Sequence, residues 1–89
     1  MRRAVTTPRF EADYVALAKS GDGKALARVD ALMEAALVSP YAGIGKPEPL
    51  RGDLAGLWSR RVDRKDRLIY SVEGDAVTFL QCRGHYDDR

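Results

Sequence analysis

Four residues in the second half of this 89-residue chain could carry out acid–base chemistry on a phosphodiester: Glu48, Arg67, His85 and Tyr86. His85 is the one histidine, and an unperturbed imidazole, with a pKa of about 6.5, gives or takes a proton near neutral pH. It stands in the run Cys82-Arg83-Gly84-His85-Tyr86, flanked by a cation, an aromatic face and a second titratable group. Glu48 lies between Pro47 and Pro49, whose rings fix the backbone around a carboxylate. Arg67 opens the middle one of three candidate strands, and adjacent antiparallel strands can bring the start of one near the end of the next. A carboxylate, a phosphate-binding cation and an imidazole are what cleavage of RNA through its own 2′-hydroxyl requires. The carboxylate takes the hydroxyl proton, the arginine stabilises charge growing on the phosphate, and the imidazole protonates the departing 5′-oxygen. Tyr86 could stack on a base or donate to phosphate. That chemistry calls for no metal and no cofactor. On spacing alone, a non-catalytic surface that binds nucleic acid or protein accounts for the same residues, and a strand-end histidine has an equally good packing explanation.

The elements that must position these groups are readable from local signals. Residues 2–5 form a short candidate edge strand. Thr7 followed by Pro8 reads as an N-cap with proline at the first helical position. Phe10, Tyr14, Leu17 and Ala18 then recur on one helical face until Gly21. Asp22 caps a second helix with the apolar face Leu26, Val29, Leu32, Met33 and Leu37, ending before Pro40. Residues 41–56, with glycines at 43, 45, 52 and 56, read as a long irregular segment of the kind usually reserved for function. Strand candidates follow at 57–62, 67–72 and 76–82, joined by short polar turns into an antiparallel meander. Alternation places Trp58, Arg60 and Val62 on one face of the first of them, with Leu57, Ser59 and Arg61 on the other. The expected class is α+β: an N-terminal strand and a two-helix hairpin packed on an antiparallel sheet, the other face left to bind.

Composition narrows the class further. Eighty-nine residues make a single domain with a small core, burying about 60–65% of the unfolded surface. No apolar run nears the roughly 20 residues of a membrane span, and Arg2 and Arg3 are followed by no apolar stretch that would make a secretory signal. One cysteine and one histidine furnish no Cys/His metal cluster, and Cys82 reads as a small buried hydrophobe. The expectation is a cytoplasmic protein without metal. A formal charge of +2 is too small to imply a nucleic-acid partner by itself. Its distribution says more: residues 51–67 hold six basic side chains (Arg51, Arg60, Arg61, Arg64, Lys65, Arg67) against three acidic ones. Arginine forks grip phosphate bidentately, although a solvated hairpin with paired charges fits the count equally.

The string Gly45-Lys46-Pro47-Glu48-Pro49-Leu50, continuing to Leu57-Trp58-Ser59-Arg60-Arg61-Val62, closely resembles the G-K-P-E-P-L … G-x-W-S-R-R-I segment of the YoeB/Txe toxins. Arg67-Leu68-Ile69-Tyr70 is similar to that family's H-R-L-V-Y, with Asp66 where histidine is usual, and the terminal Cys82-Arg83-Gly84-His85-Tyr86 to its C-R-x-H-Y. The resemblance runs from about residue 40 to 86; before that, Phe10, Asp13 and Tyr14 suit the family's first helix. It implies a RelE-like relative of the microbial ribonuclease fold and a toxin of a bacterial toxin–antitoxin pair that cuts mRNA in the ribosomal A site. By position it assigns Glu48 as general base, His85 as general acid, Arg67 as the phosphate-stabilising cation and Tyr86 as the terminal active-site tyrosine. Lys46, Arg51, Arg60, Arg61 and Arg83 fall where basic groups would meet ribosomal or messenger RNA. The implied partners are the 70S ribosome with its mRNA, a YefM/Axe-like antitoxin and a second copy in a homodimer.

Two departures bear on catalytic strength. The chain continues past Tyr86 with Asp87, Asp88 and Arg89, carboxylates that should repel RNA modestly if exposed. Asp66 could pair with Arg67 and compete with phosphate. The competing class is a non-catalytic toxin of the ParE branch that binds a protein target such as DNA gyrase, which has no use for Glu48, Arg67 and His85 together; a purely structural module is a third.

Overall fold

The structure, a computed structural model, describes residues 1–84; His85, Tyr86 and the tail at 87–89 lie outside the described residues. Chain order is β1 (Arg3–Thr6), α1 (Pro8–Lys19), α2 (Gly23–Val38), β2 (Glu48–Pro49), a 3-10 turn (Gly52–Leu54), β3 (Leu57–Arg61), β4 (Arg67–Glu73) and β5 (Ala76–Gln81). The helix ends form as their capping residues dictate. Thr7 accepts from the Phe10 N–H ahead of Pro8, and Asp22 accepts from the Ala25 N–H, each satisfying an amide that the first helical turn leaves unpaired. On α1 the inward face is Phe10, Asp13 and Leu17 with Tyr14 beside them; Ala18, expected there, is exposed. No helix among the described residues is long and apolar enough to cross a membrane.

The five strands lie in the order β1-β5-β4-β3-β2. The meander β3-β4-β5 is antiparallel as expected, but β1 pairs parallel to β5, Arg3 with Ala76 through Thr6 with Phe79. The sheet is therefore mixed rather than antiparallel. The reason is long-range: β1 is joined to β5 only by way of both helices and the rest of the sheet, so no local turn records the direction of that pair. Both helices pack on β5. The core is Phe10, Leu17, Val29, Leu32, Val62, Leu68, Tyr70, Val77, Phe79 and Cys82 with smaller neighbours, and Phe10, Phe79 and Tyr70 form a tilted aromatic run through it. Ile69 is equally buried yet stands outside this cluster, because alternation turns it to the opposite face of the sheet.

Candidate active site

Glu48 reaches the sheet through a sharply bent approach. Gly45 (φ +86°) and Lys46 (φ +52°) both adopt left-handed backbone, and Lys46 is the one non-glycine residue that does so among those described. A Cβ on Gly45 would stand 2.6 Å from Leu32 Cδ2 and 3.1 Å from Arg60 Cβ, so only glycine fits this approach. The Gly45 carbonyl accepts from the Arg61 N–H at 2.7 Å, and the chain then enters β2 with Glu48 opposite Ser59 and Pro49 opposite Trp58. Pro49 is tolerated because β2 is an edge strand, where one missing N–H breaks no inner ladder. What sequence reading treats as loop is thus a short strand that registers Glu48 against the meander.

Across the sheet, Glu48, Ser59 and Ile69 form one row, and Arg61 faces Arg67 in the row two residues along. Both rows lie on the face away from the helices. Two strand spacings across and two residues along put the Glu48 and Arg67 Cα atoms about 12 Å apart, and Glu48 does not line the cleft into which Arg67 reaches. Glu48 and Arg61 are exposed and Arg67 is half-buried. The Arg67 guanidinium is steadied by its Nη1, which donates to the backbone carbonyls of Asp63 at 2.7 Å and Asp66 at 3.1 Å. It lines a cleft of about 480 Å³ together with Arg28, Arg61, Arg64, Val62 and Asp63. The one carboxylate there among the described residues accepts the N–H groups of Lys65 and Asp66 through Asp63 Oδ1. Among the described residues, four arginines against one engaged carboxylate make the cleft anion-attracting. Arg64 is visible in the basic run of the sequence; Arg28 is not, because it comes from the middle of α2.

The expected RNA-contacting residues divide. Lys46, Arg51, Arg61 and Arg83 are exposed. Arg60 departs from expectation: it is fully buried, and its guanidinium donates to the Tyr70 hydroxyl at 2.9 Å and to the carbonyls of Ser39, Ala42 and Ile44. It ties the end of α2 and the following loop to the core and presents nothing to a ligand. The signal was present in the sequence, since strand alternation already sets Arg60 on the face of Trp58 and Val62.

Asp66 also behaves differently from expectation. Its carboxylate does not pair with Arg67; Oδ1 accepts the Gly84 N–H at 2.9 Å. The Arg67 N–H donates to the Gly84 carbonyl at 3.0 Å, so the start of β4 and the chain just before His85 are neighbours. His85 and Tyr86 themselves, expected in the site, lie outside the described residues.

Residues 6–86 match the family described as the YoeB-like toxin of bacterial type II toxin–antitoxin systems. The Streptomyces coelicolor toxin YoeB is 44% identical over 86 residues, covering 97% of this chain and all of its own. A YoeB/ParE toxin from Agrobacterium tumefaciens superposes with a TM-score of 0.90 at 38% identity, covering 94% of this chain and 99% of the other. YoeB from Staphylococcus aureus, solved as a dimer and in a heterotetrameric complex with YefM, gives TM-scores of 0.84 and 0.83, both at 29% identity. It covers 96% and 97% of this chain and 98% and 99% of its own.

Proposed function

The chain belongs to the YoeB-like toxins of bacterial type II toxin–antitoxin systems, and from that premise we propose that it is a ribosome-dependent endoribonuclease that cuts mRNA in the ribosomal A site. The observation that supports the reading is that Glu48 and Arg67 stand on one face of the sheet while the Arg67 N–H pairs with Gly84, the residue before His85. In the proposed reaction Glu48 takes the proton from the 2′-hydroxyl of the nucleotide being cut, whose oxygen attacks the adjacent phosphorus. Arg67 stabilises the charge on the non-bridging oxygens. The P–O5′ bond breaks as His85 hands its proton to the leaving oxygen, leaving a 2′,3′-cyclic phosphate and a 5′-hydroxyl. Nucleophile and leaving group both come from the RNA, so the reaction needs neither metal nor cofactor. Tyr86 contributes stacking or a phosphate hydrogen bond, while Lys46, Arg51, Arg61 and Arg83 hold messenger and ribosomal RNA.

The same premise gives the partners: a YefM/Axe-like antitoxin that neutralises the toxin, the 70S ribosome with its mRNA as the site of action, a second copy in a homodimer, and a cytoplasmic location. The YoeB–YefM complex of the Staphylococcus aureus relative supports the antitoxin, and its dimer supports self-association.

Primer extension on mRNA from translating ribosomes tests the reading. New 5′ ends within A-site codons are expected with the native chain, and Glu48→Ala and His85→Gln should each lower cleavage about 10²–10⁴-fold while still binding antitoxin. Intact mRNA together with arrested replication would instead indicate a ParE-like, protein-binding toxin.

A further inference from the structure

Strand β5 ends at Gln81, and a chain end beyond its last ladder pair normally frays. Here residues 82–84 are gripped from three directions. From α1, Asp13 Oδ2 accepts the Cys82 N–H at 3.2 Å, and Arg9 Nη2 donates to the Arg83 carbonyl at 3.2 Å. Asp13 is itself held by Arg9, whose Nε lies 3.0 Å from both carboxylate oxygens. From the β3–β4 turn, Asp66 Oδ1 accepts the Gly84 N–H, and from the first residue of β4 the Arg67 N–H donates to the Gly84 carbonyl. Both peptide groups of Gly84 are therefore bracketed by two consecutive residues. Gly84 has φ +84°, a left-handed bend that glycine adopts without steric cost. Asp13 and Asp66 are both buried, and each supplies a charge-assisted bond, roughly twice as strong as a neutral one. Asp66 is in turn fixed, its N–H on Asp63 Oδ1 at 2.7 Å and its carbonyl on the Val62 N–H at 3.1 Å. Burial, with these two carboxylates nearby, also pushes the Cys82 thiol up to about 12.

We propose that Asp66, seconded by the Asp13–Arg9 pair, is a positioning residue for the general acid: it locks the peptide that leads into His85 to the backbone that carries Arg67. The proposal rests on the nuclease reading above and adds to it the residues that set where the proton donor stands relative to the phosphate clamp. Such an arrangement matters because a displacement of about 1 Å at a reacting group can cost roughly 10²-fold in rate. Sequence-distant carboxylates thus do for the strand end what a ladder partner does for a strand interior.

The test compares two mRNAs on programmed ribosomes, one normal and one with a 5′-bridging phosphorothiolate at the scissile linkage, whose sulfur departs without needing a proton. For Asp66→Ala we expect the normal linkage to be cut ~100-fold more slowly, with the phosphorothiolate slowed less than about fivefold. Asp66→Asn keeps an acceptor oxygen and should restore most of the rate on the normal linkage. The ratio of the two rates cancels the amount of folded enzyme, so partial unfolding of the alanine variant does not obscure it. Equal slowing on both linkages, or no slowing on either, overturns the positioning role. His85→Gln is the reference: if the sulfur leaving group fails to rescue it, the general-acid reading falls and the positioning role falls with it. Rescue of His85→Gln without rescue of Asp66→Ala overturns the positioning role alone.

Discussion

A buried guanidinium with no carboxylate beside it among the described residues is neutralised by dipoles, and Arg60 is held in this way. It faces three backbone carbonyls and the Tyr70 hydroxyl, while that hydroxyl donates onward to the Pro40 carbonyl at 2.6 Å. Ser39 closes α2, where helix carbonyls concentrate partial negative charge and favour a cation. Its neighbour Arg61 shares the sequence motif but not the task, being exposed on the open face. The two should separate in experiment. Arg60→Met is expected to lower unfolding free energy by about 2–4 kcal/mol, because several acceptors lose their donor at once; urea denaturation measures this. Arg61→Gln should leave stability within about 0.5 kcal/mol. It should instead flatten the salt dependence of binding to a non-cleavable 2′-deoxy oligonucleotide, the log–log slope falling by about 0.7. Equal effects of the two substitutions on stability would contradict the assignment of Arg60 to the core.

Among the elements, β2 and the bend before it do most to build the site. Pro47 and Pro49 reveal a stiff segment around Glu48, but proline argues against a strand, and nothing local announces that the segment pairs with β3. That pairing depends on Gly45, whose missing Cβ lets the loop pass against Leu32 and Arg60, and on Lys46, which accepts left-handed strain of a size, about 1–3 kcal/mol, usually seen at functional sites. Gly45→Ala should therefore cost about 2–4 kcal/mol from left-handed strain and overpacking together, and chemical denaturation checks it. The helices were legible for the opposite reason. Thr7, Pro8 and Asp22 act within one turn of themselves, so their caps could be read directly, whereas Asp13 looks like an ordinary polar position on α1 until Cys82 is found beside it.

Among the described residues, three groups hold their protons more tightly when folded. The Cys82 thiol is raised by burial from its ordinary 9.0 to about 12, Tyr14 is raised first by its hydrogen bond to Asp30, and Tyr70 by burial against the opposing pull of Arg60. For Cys82 the unfolded chain loses its proton above 9.0 while the folded chain keeps it to about 12. Between those values the native state binds more protons, so stability falls as pH rises, and both tyrosines add to the same slope. Denaturation midpoints should drop across that alkaline window, and Cys82→Ala should flatten the drop while lowering stability at neutral pH. A midpoint independent of pH up to 12 would contradict the burial of Cys82. Caps, periodicities and motif spacings are written in residues next to one another, so the two helices, the meander strands and the kinds of chemical group they carry are legible in the chain, whereas β2 is not. Folding alone establishes that β1 runs parallel to β5, that Arg60 finds its acceptors at the end of α2 and in the loop after it, and that Asp66 holds Gly84 rather than Arg67. Each of those depends on a partner many positions away, brought near only when the sheet closes over its core.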